Sequence, residues 1–567
     1  MKNTVENEMK LADGSVWVLA DGKQIDYSDG PAIERRLVKI LNETSDHSTG
    51  SDELAARIND WPTEYYLTQK RSQLLKGFDF KRSQKVLEVG CGHGAITRFL
   101  GETFDEVVSV EGNLNRAKIA RLRTKELANV SVLCAPFQEL RFKKKFDVVF
   151  CVGVLEYSNI FVESEKPFDA MLELFKDLLA PGGVLVLAIE NQFGLKYFAS
   201  AGEDHNNIMF DGLEGYPRHD RERTFGYTEL KALVKRHFRE LEFYFPYPDY
   251  KTPSCVLSEK LFPLVNAGEL VGGIPHNKYL NYPRPLFDEL FALPELARNQ
   301  MLPFFSNSFL VVAGQEGPLP VKMDCLGQYF NTSRAKKFHT VTKFVETPGG
   351  VRSRKTNLLG QEQITEGPLT LRNCDDAWQD GVSLHERVIL TSKRRDLTLA
   401  EMFAPCRTWT DFLRSSAVRE GGEYLLDGKH FDSIWKNTYI RDAKCVFIDQ
   451  EWEWKEKINL NVLVVRCVYD FLYDVSLLTD VAPVLKGASR KALVRKIAGS
   501  FGVELRNSDF RAFCDLESRA CSIIFGISAR KHKAYLKLAL WNTKVLAFLL
   551  ALKALGRRAA VKFFSKL

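Results

Sequence analysis

Short apolar runs alternate with amphipathic segments between residues 85 and 190. Lys85–Val89, residues 106–110, Val130–Cys134, Phe146–Val152 and residues 184–189 read as strands. Helices are expected from Ala95 onward and over residues 167–180, the second ended by Pro181-Gly182-Gly183. Such alternation predicts a parallel sheet with crossover helices. Upstream, residues 61–80 read as an aromatic lead-in and a helix. Residues 1–60 read as a polar extension with one strand-like stretch at 15–19. The pattern changes after Gly317-Pro318. Residues 336–346 and 351–357 read as two strands joined by the turn Thr347-Pro348-Gly349-Gly350.

With 567 residues the chain is too long for one core, and two or three domains are expected. At 45% hydrophobic and 27% charged residues it has the composition of a soluble globular protein. Eleven cysteines without a Cys-x-x-Cys pair or a His/Cys cluster predict reduced thiols in the cytoplasm and no structural metal. The polar N-terminus reads as no secretory signal, and no 18-residue apolar run exists to span a membrane. The net charge of +7 belongs to one end. Ser518 to Leu567 carries eleven Lys/Arg and no Asp/Glu, leaving −4 for the rest.

The first strand runs into Gly90-Cys91-Gly92-His93-Gly94 and then a helix. Glycines at alternate positions let backbone approach a ligand closely and turn into a helix N-terminus. The next strand is followed by Glu111, 17 residues after Gly94, where a carboxylate can accept both ribose hydroxyls. After the third strand comes Ala135-Pro136-Phe137-Gln138, where an adenine edge would sit. The dinucleotide spacing G-x-G-x-x-G is absent. The loop is E-x-G-x-G-x-G, with Glu88 on the strand before it.

Over about residues 60–315 these features resemble class I S-adenosylmethionine (SAM) methyltransferases. The resemblance implies a Rossmann-like α/β fold of seven strands, the last antiparallel. Residues 241–246 and Ser308–Gly314 suit its closing hairpin. It implies SAM held by Glu88, Gly90, Gly92, Gly94 and Glu111, with Gln138 a candidate at adenine because Ala135 replaces the usual acid. Between the hairpin strands lies an insertion, residues 247–306, rich in Pro, Phe, Tyr and Leu and including YPDYKTPS and YLNYPRPLF. Connections of that length are lids, binding loops or structural caps. The acceptor should face the carboxyl ends of the strands. Glu190 and His205 are the catalytic candidates there, near Asn191, Glu203-Asp204 and Glu156-Tyr157. His205 is read as a base or as a structural loop residue, and His93 as packing or capping.

Downstream, His430-x-Asp432 is followed by Asn437, and residues 445–448 lead to Asp449. This is the H-x-D-x-x-x-x-N spacing of protein kinases with a metal-binding Asp about a dozen residues on. The segment resembles divergent kinases of the aminoglycoside-phosphotransferase type, an α+β fold. The resemblance implies ATP and Mg2+, Asp432 as base or positioner, and Asn437 and Asp449 as metal ligands. Lys355, with Lys343 as rival, would meet the phosphates, and Glu362 or Glu366 would pair with it. Residues 378–384 would form the hinge and the start of a helix. No G-x-G-x-x-G loop is present.

Residues 531–567 read as basic helices with broad apolar faces, suited to an anionic membrane surface, a partner helix or, for the first half, core. Positive charge interleaved with large apolar side chains argues against nucleic acid. The expected domains are 1–60, an N-terminal extension; 61–316, the methyltransferase; 325–500, the kinase-like domain; and 501–567, a helical tail. The combination resembles bifunctional kinase–methyltransferases of bacterial surface-polysaccharide (O-antigen) synthesis. That implies a lipid-linked glycan acceptor, glycosyltransferase partners and a peripheral position on the cytoplasmic membrane. The alternatives are a sugar or small-metabolite O-methyltransferase with a regulatory pseudokinase, and a membrane-surface scaffold of a glycosyltransferase complex.

Overall fold

The computed structural model describes residues 4–274, 285–486 and 489–541. The chain divides into two units, residues 1–263 with 267–328, and residues 264–266 with everything from 329 onward. The expected YLNYPRPLF stretch falls partly, and the tail from residue 542 wholly, outside the described residues. Among the described residues, no helix is long and apolar enough to cross a membrane.

The first unit is organised by a sheet. Its strands in chain order are β1 (Met9–Ala12), β2 (Val16–Leu19), β3 (Lys85–Val89), β4 (Glu106–Glu111) and β5 (Val130–Cys134). They continue with β6 (Phe146–Val152), β7 (Leu179–Glu190), β8 (Glu240–Tyr247), β9 (Cys255–Ser258) and β10 (Ser308–Gly314). Across the sheet the order is β1-β2-β5-β4-β3-β6-β7-β10-β8-β9. Strands β5 to β7 pair in parallel. β10 is antiparallel to both β7 and β8, so the expected hairpin strands close the sheet. In β3, β4, β6 and β7 nearly every residue after the first few is buried, on both faces alike. That is why they read as continuous apolar runs and not as alternation.

Two expectations change and a third is narrowed. Residues 1–60 are no separate extension: β2 adds to the sheet in parallel beside β5, and Val16 and Val18 enter the main core. Strand β7 starts at Leu179 rather than 184, because Phe146 pairs with Leu179 and Val148 with Val184. Residues 180–183 are accommodated as an irregularity inside the strand, where the glycines tolerate the bend. The insertion is partly structural, since β9 pairs antiparallel with β8.

In the second unit the strands Thr340–Thr347, Gly350–Asn357 and Cys374–Ala377 form an antiparallel ribbon. The first of them begins later than expected because residues 336–338 are a 3-10 turn. A helix, Leu384–Thr391, follows with a Ser383/Glu386 capping box. The helices Leu460–Val475, Arg490–Ser500 and Asn507–Phe525 come later in this unit. Leu460–Val475 is almost wholly buried, which makes it the spine of the unit. The helix Ala529–Trp541 ends the described chain.

Two glycines fix how closely the loop after β3 can pack. Gly94 sits at φ +80°, and a Cβ there would lie 2.7 Å from the Ala120 Cα; at Gly90, φ +74°, it would lie 2.3 Å from a Val154 methyl. Gly94→Ala therefore combines left-handed strain with a backbone clash. We expect a loss of about 2 kcal/mol or more in urea unfolding, and an unchanged midpoint would contradict the packing described.

Candidate active site

The loop after β3 is tied to β4 by its own backbone. The N–H groups of Gly90 and Cys91 donate to the Val110 carbonyl at 2.9 and 3.0 Å. Gly92 N–H donates to Glu111 Oε2 at 2.8 Å, and Asn113 N–H to Oε1 at 3.0 Å. Two of the roughly four lone-pair sites of the Glu111 carboxylate are thus used, leaving capacity for ribose hydroxyls. Asn113 also caps the helix Leu114–Arg123, which carries Arg116.

Gly90 and Glu111 line a cavity of about 290 Å3. Phe137 and Gln138, from the 3-10 turn after β5, line it as well, and the Gln138 amide nitrogen donates to the Phe161 carbonyl at 2.8 Å. Glu88, Gly92 and Gly94 are not in the lining. Glu88 lies below the loop, accepting from Ser109 Oγ at 2.7 Å, and burial pushes its carboxyl up to about 7 against that hydrogen bond. Gly94 meets Ala120, so its role is packing. His93 is 2% exposed, edge-on to Tyr66, and burial followed by Arg116 lowers it to about 4, so it is neutral.

Residues outside the motif complete the pocket. Tyr27 and Asp29 come from the first thirty residues, and Trp61, Tyr65 and Tyr66 from the helix Trp61–Leu67. Arg116 lies over the Tyr27 ring and 3.7 Å from Asp29. Asp29 Oδ2 and Arg116 Nε are buried without a hydrogen-bond partner. A half-buried anion and a half-buried cation beside a glycine loop, each with one buried atom lacking a hydrogen bond, fit the ammonium and carboxylate of an amino-acid moiety. The residues present therefore suit SAM. Glu111 would take the ribose, Phe137 and Gln138 the adenine, and the loop with Asp29 and Arg116 the methionine end. Asp29 and Arg116 carried no spacing signal, since neither belongs to a periodic run or to the glycine motif.

The other end of the cavity is acidic. Glu156 stands in the turn Leu155–Tyr157, Glu190 ends β7, and His205 lies in the loop beyond. His205 Nδ1 is 2.7 Å from Glu203 Oε1, and its Nε2 faces Glu156 Oε1 at 3.7 Å. Burial opposes a charge on His205, but Glu156 and Glu203 outweigh it and raise the imidazole well above its usual range. Burial raises Glu156, partly offset by His205. The insertion supplies Tyr250, donating to Glu190 Oε1 at 3.1 Å, and Lys251, paired with both Glu190 and Asp204. Lys196 also pairs with Asp204; despite burial, the two ammonium groups hold that carboxyl well below its usual range. The insertion thus reaches the site through its first residues.

The second unit gathers the other expected residues. Lys355 pairs with Asp449 and, at 3.2 Å, with Glu451, which Arg334 also engages. The rival Lys343 sits next to it in register, opposite Arg354. The acid partner of Lys355 is therefore Glu451 and not Glu362 or Glu366. Glu366 pairs on the surface with Lys337, and Glu362 is exposed. The Asn437 amide donates to the carbonyls of Asp432 and Asp449 at 3.1 and 3.2 Å. Asp432 is buried, accepts from Trp452 N–H at 3.2 Å, and is pushed up to about 7 by burial and Glu451. The non-glycine Asp449 adopts φ +53°, a conformation that concentrates at functional sites.

Residues 87–187 match the family model described as a methyltransferase domain. A ribosomal RNA small subunit methyltransferase A of Mycoplasma capricolum is 21% identical over 33% of this chain and 63% of its own length. A ubiquinone biosynthesis O-methyltransferase of Pelagibacter ubique is 23% identical over 30% of this chain and 68% of its own. The chain therefore spans about two thirds of the length of these relatives. The N-methyltransferase NodS from Bradyrhizobium japonicum, solved with S-adenosyl-L-homocysteine, is 21% identical with a TM-score of 0.20, over 28% of this chain and 74% of that one.

Two measurements check the site. Glu111→Ala removes a charged acceptor, and SAM affinity by calorimetry should fall about 10- to 100-fold; unchanged affinity would move the ribose elsewhere. Glu88, raised from 4.5 to about 7, keeps its proton in the folded state where the unfolded chain releases it. Its contribution is fully present below pH about 4.5 and lost as pH rises through about 7, on the order of 3 kcal/mol. Glu88→Gln should therefore gain stability relative to the parent across that window, and parallel pH–stability curves would refute this. The sheet order, the glycine loop and the family match together make residues 87–187 the core of a SAM-dependent methyltransferase domain.

Proposed function

We propose that the first unit methylates an oxygen of a surface glycan or lipid-linked saccharide, and that the second unit phosphorylates the same acceptor. The observation that carries the methyl-transfer half is the single cavity joining Gly90 and Glu111 to Glu190 and His205. When bound, SAM supplies a methyl group on a sulfonium, an activated carbon that mainly needs an aligned nucleophile. Glu111 and the glycine loop fix the nucleoside. Glu156, Glu190 and His205 lie at the far end and orient the acceptor oxygen, either a hydroxyl or a terminal phosphate oxygen. Glu203 holds the His205 ring so that Nε2 faces Glu156, at the end where the acceptor would lie.

The phosphorylating half is supported by the convergence of Lys355, Asp432, Asn437 and Asp449. These residues suit a nucleotide with Mg2+: Asn437 and Asp449 would hold the ion, Lys355 the phosphates, and Asp432 the acceptor hydroxyl. The unbalanced positive charge from Ser518 on supports an anionic membrane surface, with glycosyltransferases nearby, as the place where the acceptor is met.

The test uses the purified chain with SAM, ATP and lipid-linked glycan, read by mass spectrometry. The parent should add phosphate and methyl. His205→Ala should lower methyl transfer by about 10^2- to 10^4-fold and leave phosphorylation. Asp432→Ala should abolish phosphorylation, and with it any methylation of a phosphate. Methyl transfer untouched by Asp432→Ala and by omission of ATP would instead make the second unit a binding or regulatory module.

A further inference from the structure

We propose that Glu156, Glu190 and His205 bind one divalent metal ion of the Mn2+ class at the acceptor end of the cavity. The inference rests on the reading of this end as the acceptor side. One ligand atom from each residue lies within 4.8 Å of the others. An ion about 2.1 Å from each would draw such atoms to about 3 Å apart, a small rotamer adjustment. Two carboxylates and one imidazole suit Mn2+, Fe2+ or Zn2+ better than Mg2+, which prefers oxygen alone.

The three side chains are held from behind and left open in front. Glu203 takes His205 Nδ1 at 2.7 Å, the carboxylate–histidine arrangement that fixes the other ring nitrogen for a metal. Tyr250 and Lys251 engage Glu190 through Oε1 only. The second oxygens, Glu156 Oε2 and Glu190 Oε2, are buried and have no hydrogen-bond partner. Both residues are 1% exposed and line the cavity. A buried, unsatisfied carboxylate oxygen is costly, and two carboxyl groups that each carry one, grouped with an imidazole, call for a cation.

Charge leads to the same answer. Glu190 and Asp204 pair with the ammonium groups of Lys196 and Lys251, while Glu156 and Glu203 flank the His205 ring. Four carboxyl groups thus stand against two lysines and one imidazole in a buried pocket, and a divalent ion at the triad would take the imidazole proton's place as the counter-charge to Glu156. The same excess would repel a phosphate acceptor. An ion ligated by the three residues would accept a phosphate or hydroxyl oxygen as a further ligand and hold it at the cavity's far end from Glu111. His205 then serves as a ligand through Nε2, and an acceptor phosphate oxyanion needs no base.

The full chain, stripped with EDTA and free of nucleotide, is titrated with Mn2+ and followed by electron paramagnetic resonance. We expect one Mn2+ per chain in the parent and in Asp449→Asn, with affinity lowered at least tenfold in Glu156→Gln and His205→Gln. Pulsed spectra of the parent need no variant to fold, and they should show nitrogen coupling from one imidazole. The absence of stoichiometric binding, bound Mn2+ without nitrogen coupling, or loss in Asp449→Asn with retention in Glu156→Gln would overturn the proposal. If no Mn2+ binds while His205→Ala still lowers methyl transfer, the metal proposal alone fails. If Mn2+ binds at the triad while His205→Ala leaves methyl transfer intact, the site stands and the acceptor reading fails.

Discussion

The first unit depends on one tie, the clamp between the loop at Gly90–Gly94 and the end of β4. The Val110 carbonyl accepts two loop N–H groups, and Glu111 accepts a third. The carboxylate proposed to take the ribose is thereby fixed to the loop that flanks the same cavity. The clamp requires positive φ and the absence of Cβ atoms at Gly90 and Gly94, since neighbouring atoms already occupy those positions. Burial of Glu88 beneath it and of Arg116 beside it follows from that tight packing.

From the clamp the cavity runs to a charged end of opposite design. Near Glu111 backbone groups satisfy the carboxylate. Near Glu190 side chains do so, and incompletely. The difference matches the two tasks of a methyltransferase site. One end holds an invariant cofactor with fixed dipoles. The other, in the function proposed, would meet a separate acceptor with the groups left unsatisfied there.

The sequence made the parallel strands legible because they are buried on both faces and read as apolar runs. The glycine loop was legible because only glycine tolerates its backbone. Glu190 and His205 could be named as strand-end and loop residues. Their grouping with Glu156 depends on folding of three separate segments, which spacing does not reveal. Asp29, Arg116 and Lys251 were missed for the same reason. β2 escaped as part of the sheet because a four-residue strand in a polar stretch carries little periodic signal. In the second unit the spacing from Asp432 to Asp449 located one cluster. The acid partner of Lys355 was misplaced, because Glu451 sits two residues past Asp449, where the kinase pattern offers no such acid.

The central claim is that one cavity holds the cofactor at Glu111 and presents its reactive end to Glu156, Glu190 and His205. A crystal structure of the full chain with S-adenosyl-L-homocysteine tests it most directly. The account predicts ribose hydroxyls on Glu111, adenine beside Phe137 and Gln138, and the sulfur directed toward Glu190 and His205. A nucleoside bound outside this cavity, or with its sulfur turned away from that acidic end, would contradict it.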